Sequence, residues 1–335
     1  TWWWNWADNV NSEWFLSISS TWDSYWLLKD IDCWTIETFW IDWHWWIGWP
    51  SDGWYKSIHT SWVSNAALKY DWTISTWWSY GGTWWPTWSW YTKIFWNRGA
   101  FAALNEDWSI YSWWAQNSPH VPWSLPWTGW IDVIWNDHSF TALNEDWTVY
   151  SWWSSFYWWG LHPVDSWYIK VFATSDDSQW AYAALKSDWS VSVWWDSWRW
   201  WNPAEAPVGT WWTNIYANKW SFVAEKPDWT IYTWWITDDS TYINWEHPTV
   251  SLTADDLPIK WIYSSRWAFA LLTKNWSIKV WGQENWWWRQ SYAPTDYWYS
   301  KIISNADSFV WVKPDWTIRW FWWYGFWTRK PWNST

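Results

Sequence analysis

Short apolar alternations recur along this chain in pairs. Lys93-Ile94-Phe95 precedes Phe101-Ala102-Ala103-Leu104, and Asp132-Val133-Ile134 precedes Phe140-Thr141-Ala142-Leu143. Asn214-Ile215-Tyr216, Lys301-Ile302-Ile303, Tyr182-Ala183-Ala184-Leu185 and Phe269-Ala270-Leu271-Leu272 continue the series. Period-two alternation over about four to six residues predicts β-strands, and no segment carries the helical period. Turn formers such as Pro86, Pro119, Pro122, Pro163, Pro203, Pro207 and Pro294 fall between the units, so the intervening stretches read as inter-strand loops.

A fixed phrase follows the second alternation: Asp, Trp, Thr or Ser, a β-branched residue, two variable residues, an aromatic, then Trp or Gly. It occurs eight times, around Trp34, Trp72, Trp108, Trp147, Trp189, Trp229, Trp276 and Trp316, at spacings of 38, 36, 39, 42, 40, 47 and 40 residues. The first copy is degenerate, with Cys33 for Asp and Phe39 for the aromatic Trp. Repeats of two or three short strands predict an all-β fold, a β-propeller of seven or eight blades forming a single domain over 1–335.

The turn inside the phrase is anomalous. An Asp-x or Asn-x pair between two strands is expected to be a two-residue hairpin with positive φ at both central residues, where Gly is selected and a bulky aromatic is an outlier. Trp and Gly also interchange elsewhere: Gly282 stands where the other copies end in Trp, Gly81-Gly82 matches Trp158-Trp159 and Trp200-Trp201, and Gly99 matches Trp267. With 65 Trp and only 10 Gly in 335 residues, the expectation is that most of these Trp are glycines encoded by UGA and read with the wrong code table. Trp77, Trp113, Trp152, Trp194, Trp234 and Trp281 are expected to be genuine, because Phe39 and Phe321 hold the same place. They read either as one core aromatic per blade or as a stacking cage for a ligand.

Charge narrows the partners. Twenty Lys and Arg against 32 Asp and Glu leave a net charge of −12, which supplies no field for nucleic acid or an anionic membrane. The lone Cys33 excludes an internal disulfide framework and a cysteine zinc site. No apolar run is long enough to span a bilayer, and the chain starts at Thr1 without a leader, so it reads as a soluble fragment or processed region, expected to be monomeric.

With Gly in place of the doubtful Trp, Ala100 to Trp114 becomes Ala-Phe-Ala-Ala-Leu-Asn-Glu-Asp-Gly-Ser-Ile-Tyr-Ser-Trp-Gly. This resembles the regulator of chromosome condensation repeat, most closely its short bacterial form, and the resemblance covers nearly the whole chain. It implies a propeller, usually seven-bladed. It also implies a bacterial surface or extracellular setting. The family's nucleotide-exchange and chromatin roles are not carried over, since the charge opposes the latter and no exchange site maps onto this chain.

No catalytic constellation emerges. The histidines His44, His59, His120, His138, His162 and His247 lack metal-pair spacing, so no metal and no cofactor is expected. The pairs Glu106-Asp107 and Glu145-Asp146 fall at hairpin turns. Asp238, Asp239, Glu246, Asp255 and Asp256 lie in the segment behind the 47-residue spacing, read as a solvated insertion or a binding loop. Arg98, Asp137, His138, Asp176, Asp177, Lys219, Arg266 and Asp307 occupy one repeated position just before the second alternation, so they should converge on one edge with mixed charge. The expected function is a non-catalytic scaffold that binds a protein or glycan there. The alternatives are a polysaccharide-active enzyme with carboxylates at the propeller mouth and a structural surface array.

Overall fold

The computed structural model describes residues 15–20, 24–29, 36–40, 53–61, 64–78, 89–114, 123–125, 128–153, 163, 165–174, 181–195, 206–219, 221–235, 250–266, 268–282, 293–304 and 308–321. Cys33, Trp34, four of the histidines (His44, His120, His162 and His247), and Asp238, Asp239 and Glu246 lie outside them. No helix among the described residues is long and apolar enough to cross a membrane.

The described residues form eight successive antiparallel sheets, the construction of a β-propeller chain. The first comprises Phe15–Ser20, Ser24–Lys29 and Ile36–Trp40, and the second Tyr55–Thr60, Ser64–Lys69 and Ile74–Trp78. The third holds Tyr91–Trp96, Ala100–Asn105 and Ile110–Trp114, with Trp123–Ser124 added at its outer edge. The fourth is Trp130–Trp135, Ser139–Asn144 and Val149–Trp153, and the fifth Tyr168–Ala173, Ala181–Lys186 and Val191–Trp195. The sixth is Asn214–Ala217, Ser221–Glu225 and Ile231–Trp235, the seventh Trp261–Ser264, Ala268–Leu272 and Ile278–Gly282, and the eighth Lys301–Ser304, Phe309–Val312 and Ile318–Phe321. Two compact units divide them: Thr1–Asp146 with Tyr150–Trp159, and Trp147–Val149 with Gly160–Thr335.

The middle strands of the second to seventh sheets are buried on both faces, which is why they read as near-continuous apolar runs such as Ala100-Phe101-Ala102-Ala103-Leu104. Small residues let adjacent sheets approach, and the faces then interlock. Ile94 and Tyr91 of the third sheet pack on Ala66 and Leu68 of the second. In the other unit, Trp212 and Ile215 of the sixth sheet pack on Ala183 and Leu185 of the fifth. Five of the six aromatic Trp of the phrase stack on the aromatic opposite in the middle strand: Trp113 on Phe101 at 5.4 Å, Trp152 on Phe140 at 5.3 Å, Trp194 on Tyr182 at 5.5 Å, Trp234 on Phe222 at 5.3 Å and Trp281 on Phe269 at 5.5 Å, while Trp77 stands opposite Asn65. Trp77, Trp113, Trp194, Trp234 and Trp281 are buried, and Trp152 is half-buried, so these six belong to the core.

The hairpin turns differ from the two-residue form expected. In Lys69-Tyr70-Asp71-Trp72-Thr73, Trp72 N–H donates to the Lys69 carbonyl at 3.0 Å and Lys69 N–H to the Thr73 carbonyl at 2.9 Å. This is a three-residue loop, a tight turn followed by one left-handed residue, so positive φ is needed only at the last loop position. That residue is Trp in every described copy: φ is 65° at Trp72, 64° at Trp108, 67° at Trp147, 65° at Trp189, 68° at Trp229, 60° at Trp276 and 66° at Trp316.

A second left-handed residue precedes the first strand of five units, at Trp54, Trp90, Trp167, Trp211 and Trp298, with φ from 70° to 80°. Gly129 holds the same place before Trp130, at φ 91°. A left-handed L-residue costs ~1–2 kcal/mol. Twelve such Trp therefore carry that cost together.

These residues are retained because their carbonyls join the sheets. Tyr91 N–H donates to the Trp72 carbonyl at 3.0 Å, Trp130 to Trp108 at 3.1 Å, Tyr168 to Trp147 at 3.0 Å, Trp212 to Trp189 at 3.0 Å and Tyr299 to Trp276 at 3.0 Å. In turn, Tyr70 N–H donates to Trp54, Glu106 to Trp90, Glu145 to Gly129 and Ser187 to Trp167, at 2.8 to 2.9 Å. The hairpins of the second to fifth sheets thus hydrogen-bond the start of their own repeat and of the next.

Candidate binding surface

Arg98, Asp137, His138, Lys219 and Arg266 lie on the tight connections between first and middle strands, at the opposite end of each sheet from the Asp-Trp hairpins. The connections are short and closed by backbone bonds: Asn97 N–H donates to Ala100 at 3.0 Å, Asn136 to Ser139 at 3.1 Å, Asn218 to Ser221 at 3.0 Å and Ser265 to Ala268 at 2.9 Å. Asparagine side chains pin them further, with Asn97 Oδ1 accepting from the N–H groups of Gly99 and Ala100 at 3.0 and 2.9 Å. Asn136 Oδ1 accepts from His138 N–H at 3.1 Å and from Ser139 N–H and Oγ at 2.9 Å, and Asn218 Oδ1 from Ser221 N–H at 2.7 Å. This is the side-chain-to-backbone closure that makes Asn a turn residue.

Neighbouring connections touch. Arg98 N–H donates to the Asp137 carbonyl at 3.2 Å in one unit, and Lys219 N–H to the Arg266 carbonyl at 3.2 Å in the other. Arg98 is thereby brought beside Asp137 and His138, and Lys219 beside Arg266. Asp176, Asp177 and Asp307 lie outside the described residues.

The hairpin carboxylates are occupied by local structure. Asp71, Asp107, Asp188, Asp228 and Asp315 each accept the N–H of the residue two further on at 2.9 to 3.0 Å. The Thr73 hydroxyl bond holds the Asp71 carboxyl below its ordinary range, and Ser190 does the same for Asp188. Asp255 and Asp256, in the long insertion, likewise do structural work. The Asp256 carboxylate accepts Thr253 N–H and Oγ1, each at 2.8 Å, and lies 3.4 Å from Lys279 Nζ, while its carbonyl takes Lys274 N–H at 3.1 Å. The Asp255 carbonyl accepts Asn275 Nδ2 at 2.8 Å. Here the insertion closes the seventh-sheet hairpin, the job done elsewhere by the second left-handed residue.

Two features were missed from sequence. Asp165 accepts hydrogen bonds from Tyr168 Oη and Lys186 Nζ, and Asp296 repeats the arrangement with Tyr299 at 2.6 Å and Lys313 at 2.7 Å. Burial raises both carboxyls, and the lysine and tyrosine donors outweigh it, so the net shift is downward. The signal was available as Asp-x-Trp-Tyr before the first strand and Lys at the end of the middle one. The second feature is Glu225, which replaces the leucine found at Leu104, Leu143 and Leu185; it is buried and takes the Tyr216 hydroxyl at 2.9 Å.

Among the described residues, no three His, Cys, Asp or Glu side chains are grouped to hold a metal ion. His59 is a packing residue: its ring lies 4.6 Å from Trp96, Nε2 bonds Ser57 Oγ at 2.9 Å, and burial lowers it to about 4.

No protein-family model and no curated protein sequence matches this chain. Solved structures resemble it at low identity. The CRINKLY WD40 ectodomain of the Arabidopsis thaliana receptor kinase ACR4 is 14% identical over 77% of this chain and 90% of that one, with a TM-score of 0.40. The computationally designed Ika8 protein is 12% identical over 92% and 96%, with a TM-score of 0.42. Prp20p from Saccharomyces cerevisiae, whose structure was described with its binding to Gsp1p and histones, is 12% identical over 69% and 72%, with a TM-score of 0.42.

Proposed function

We propose that this chain is a non-catalytic binding scaffold, acting as an extracellular monomer, that engages a protein or glycan through the connections between first and middle strands. We also assign its repeats to the short bacterial form of the regulator of chromosome condensation family, on the eight phrases alone. The observation carrying the functional reading is the set of pinned, mutually bonded turns bearing Arg98, Asp137, His138, Lys219 and Arg266. Charges held on rigid turns bind without a large ordering cost, and mixed signs orient a partner without attracting polyanions. Asp176, Asp177 and Asp307 are assigned to the corresponding connections by their repeat position.

The test immobilises the folded protein, captures partners from its native extracellular milieu, and compares Arg98→Glu/Lys219→Glu/Arg266→Glu with a hairpin-edge control, Glu106→Lys/Glu145→Lys. The proposal expects the first variant to lose the captured partner and the control to keep it, with equal melting temperatures. Loss only in the control overturns it, and turnover of a captured glycan transfers the case to a polysaccharide-active enzyme.

A further inference from the structure

We propose that the folded protein carries glycine, not tryptophan, at the twelve left-handed positions, and that its gene encodes them as UGA. Two populations stand out among the described tryptophans, and Trp135 and Trp261, exposed without positive φ, belong to neither. Trp113, Trp130, Trp194, Trp212, Trp234, Trp281 and Trp311 are buried, and none has positive φ. The positive-φ set is half-buried at Trp72 and Trp229 and exposed at the other ten, from 36% at Trp276 to 82% at Trp316. One population is chosen for its ring and the other for its backbone.

Gly129 is the internal control. It occupies the second left-handed position, offers its carbonyl to Glu145 N–H at 2.8 Å, and precedes a buried aromatic, as Trp54, Trp90 and Trp167 do. A Cβ at Gly129 would meet Asn144 Oδ1 and Glu145 Oε1 at 3.0 Å. Those side chains would have to shift by only a few tenths of an ångström, so the requirement lies in the backbone: at φ 91° glycine alone sits freely. The hairpin position has the same requirement, which Asn-Gly and Asp-Gly satisfy in ordinary proteins.

The consequence reaches function. As written, the hairpin edge presents Trp108, Trp147, Trp189, Trp276 and Trp316 as exposed indoles, a surface that would mimic an aromatic docking site. With glycine that apolar edge vanishes, while every carbonyl bond between sheets remains.

The test reads the gene at these twelve codons and sequences peptides of the protein isolated from its source by mass spectrometry. UGA codons with glycine-containing peptides are expected, alongside UGG and tryptophan at Trp130 and Trp281. UGG at these codons, or tryptophan in the peptides, overturns the inference.

Discussion

At the scale of single residues, conformation and side chain can be set against each other. Trp316 has φ 66° and is 82% exposed, so its indole contributes little burial to offset its backbone strain. Trp316→Gly should raise stability by about 1 kcal/mol, the left-handed penalty less the extra chain entropy of glycine, measured by urea unfolding. His59 gives the second residue-level expectation. Its folded pKa, about 4, lies below the ordinary 6.5, so the unfolded chain takes up the proton first and stability falls as pH drops through that window. Equivalent positions hold Phe95 and Phe172; His59→Phe should flatten the stability curve between these pH values, and an unchanged slope would contradict the assignment. The Asp-Trp turns were legible because the phrase repeats verbatim. The second left-handed position was not, because it follows loops of differing sequence and shows itself only through backbone angles.

At the scale of the element, neighbouring sheets exchange specific bonds. Trp152 Nε1 donates to Ser112 Oγ at 3.1 Å and Trp281 Nε1 to Thr233 Oγ1 at 3.0 Å, each acceptor preceding the phrase-ending Trp of the previous sheet. For Trp234 that acceptor position is Val193, and its buried Nε1 has no partner among the described residues. Val193→Thr should therefore stabilise by about 1 kcal/mol by satisfying a buried donor, and Thr233→Val should destabilise; chemical denaturation of both variants checks the pair. The strand pattern itself was readable because middle strands are apolar on both faces. Of the candidate surface, the shared turn position of Arg98, Asp137, Lys219 and Arg266 was readable, since equivalent places in a repeat fall at the same end of a sheet. The neighbour-to-neighbour bonds were not, because they depend on how sheets pack. Loop length left Asp255 and Asp256 as a solvated insertion or a binding loop, and the local brace formed by the Asp256 carboxylate and the Asp255 carbonyl was not readable from it.

At the scale of the whole molecule, seven described copies of one turn make a small local backbone strain cumulative. At the hairpin end, backbone bonds between successive sheets run through carbonyls of left-handed residues such as Trp72, Trp108 and Trp189, so that conformation cannot be relaxed without loosening those contacts. The same geometry repeated in both compact units argues that glycine at these positions is a condition of folding. The direct measurement is equilibrium unfolding of two chains, one as written and one with glycine at the twelve left-handed positions, followed by far- and near-ultraviolet circular dichroism. The glycine chain is expected to show strand-type spectra and one cooperative transition, with the written chain less stable by several kcal/mol or failing to fold cooperatively. A written chain that unfolds cooperatively with equal or greater stability would contradict the account.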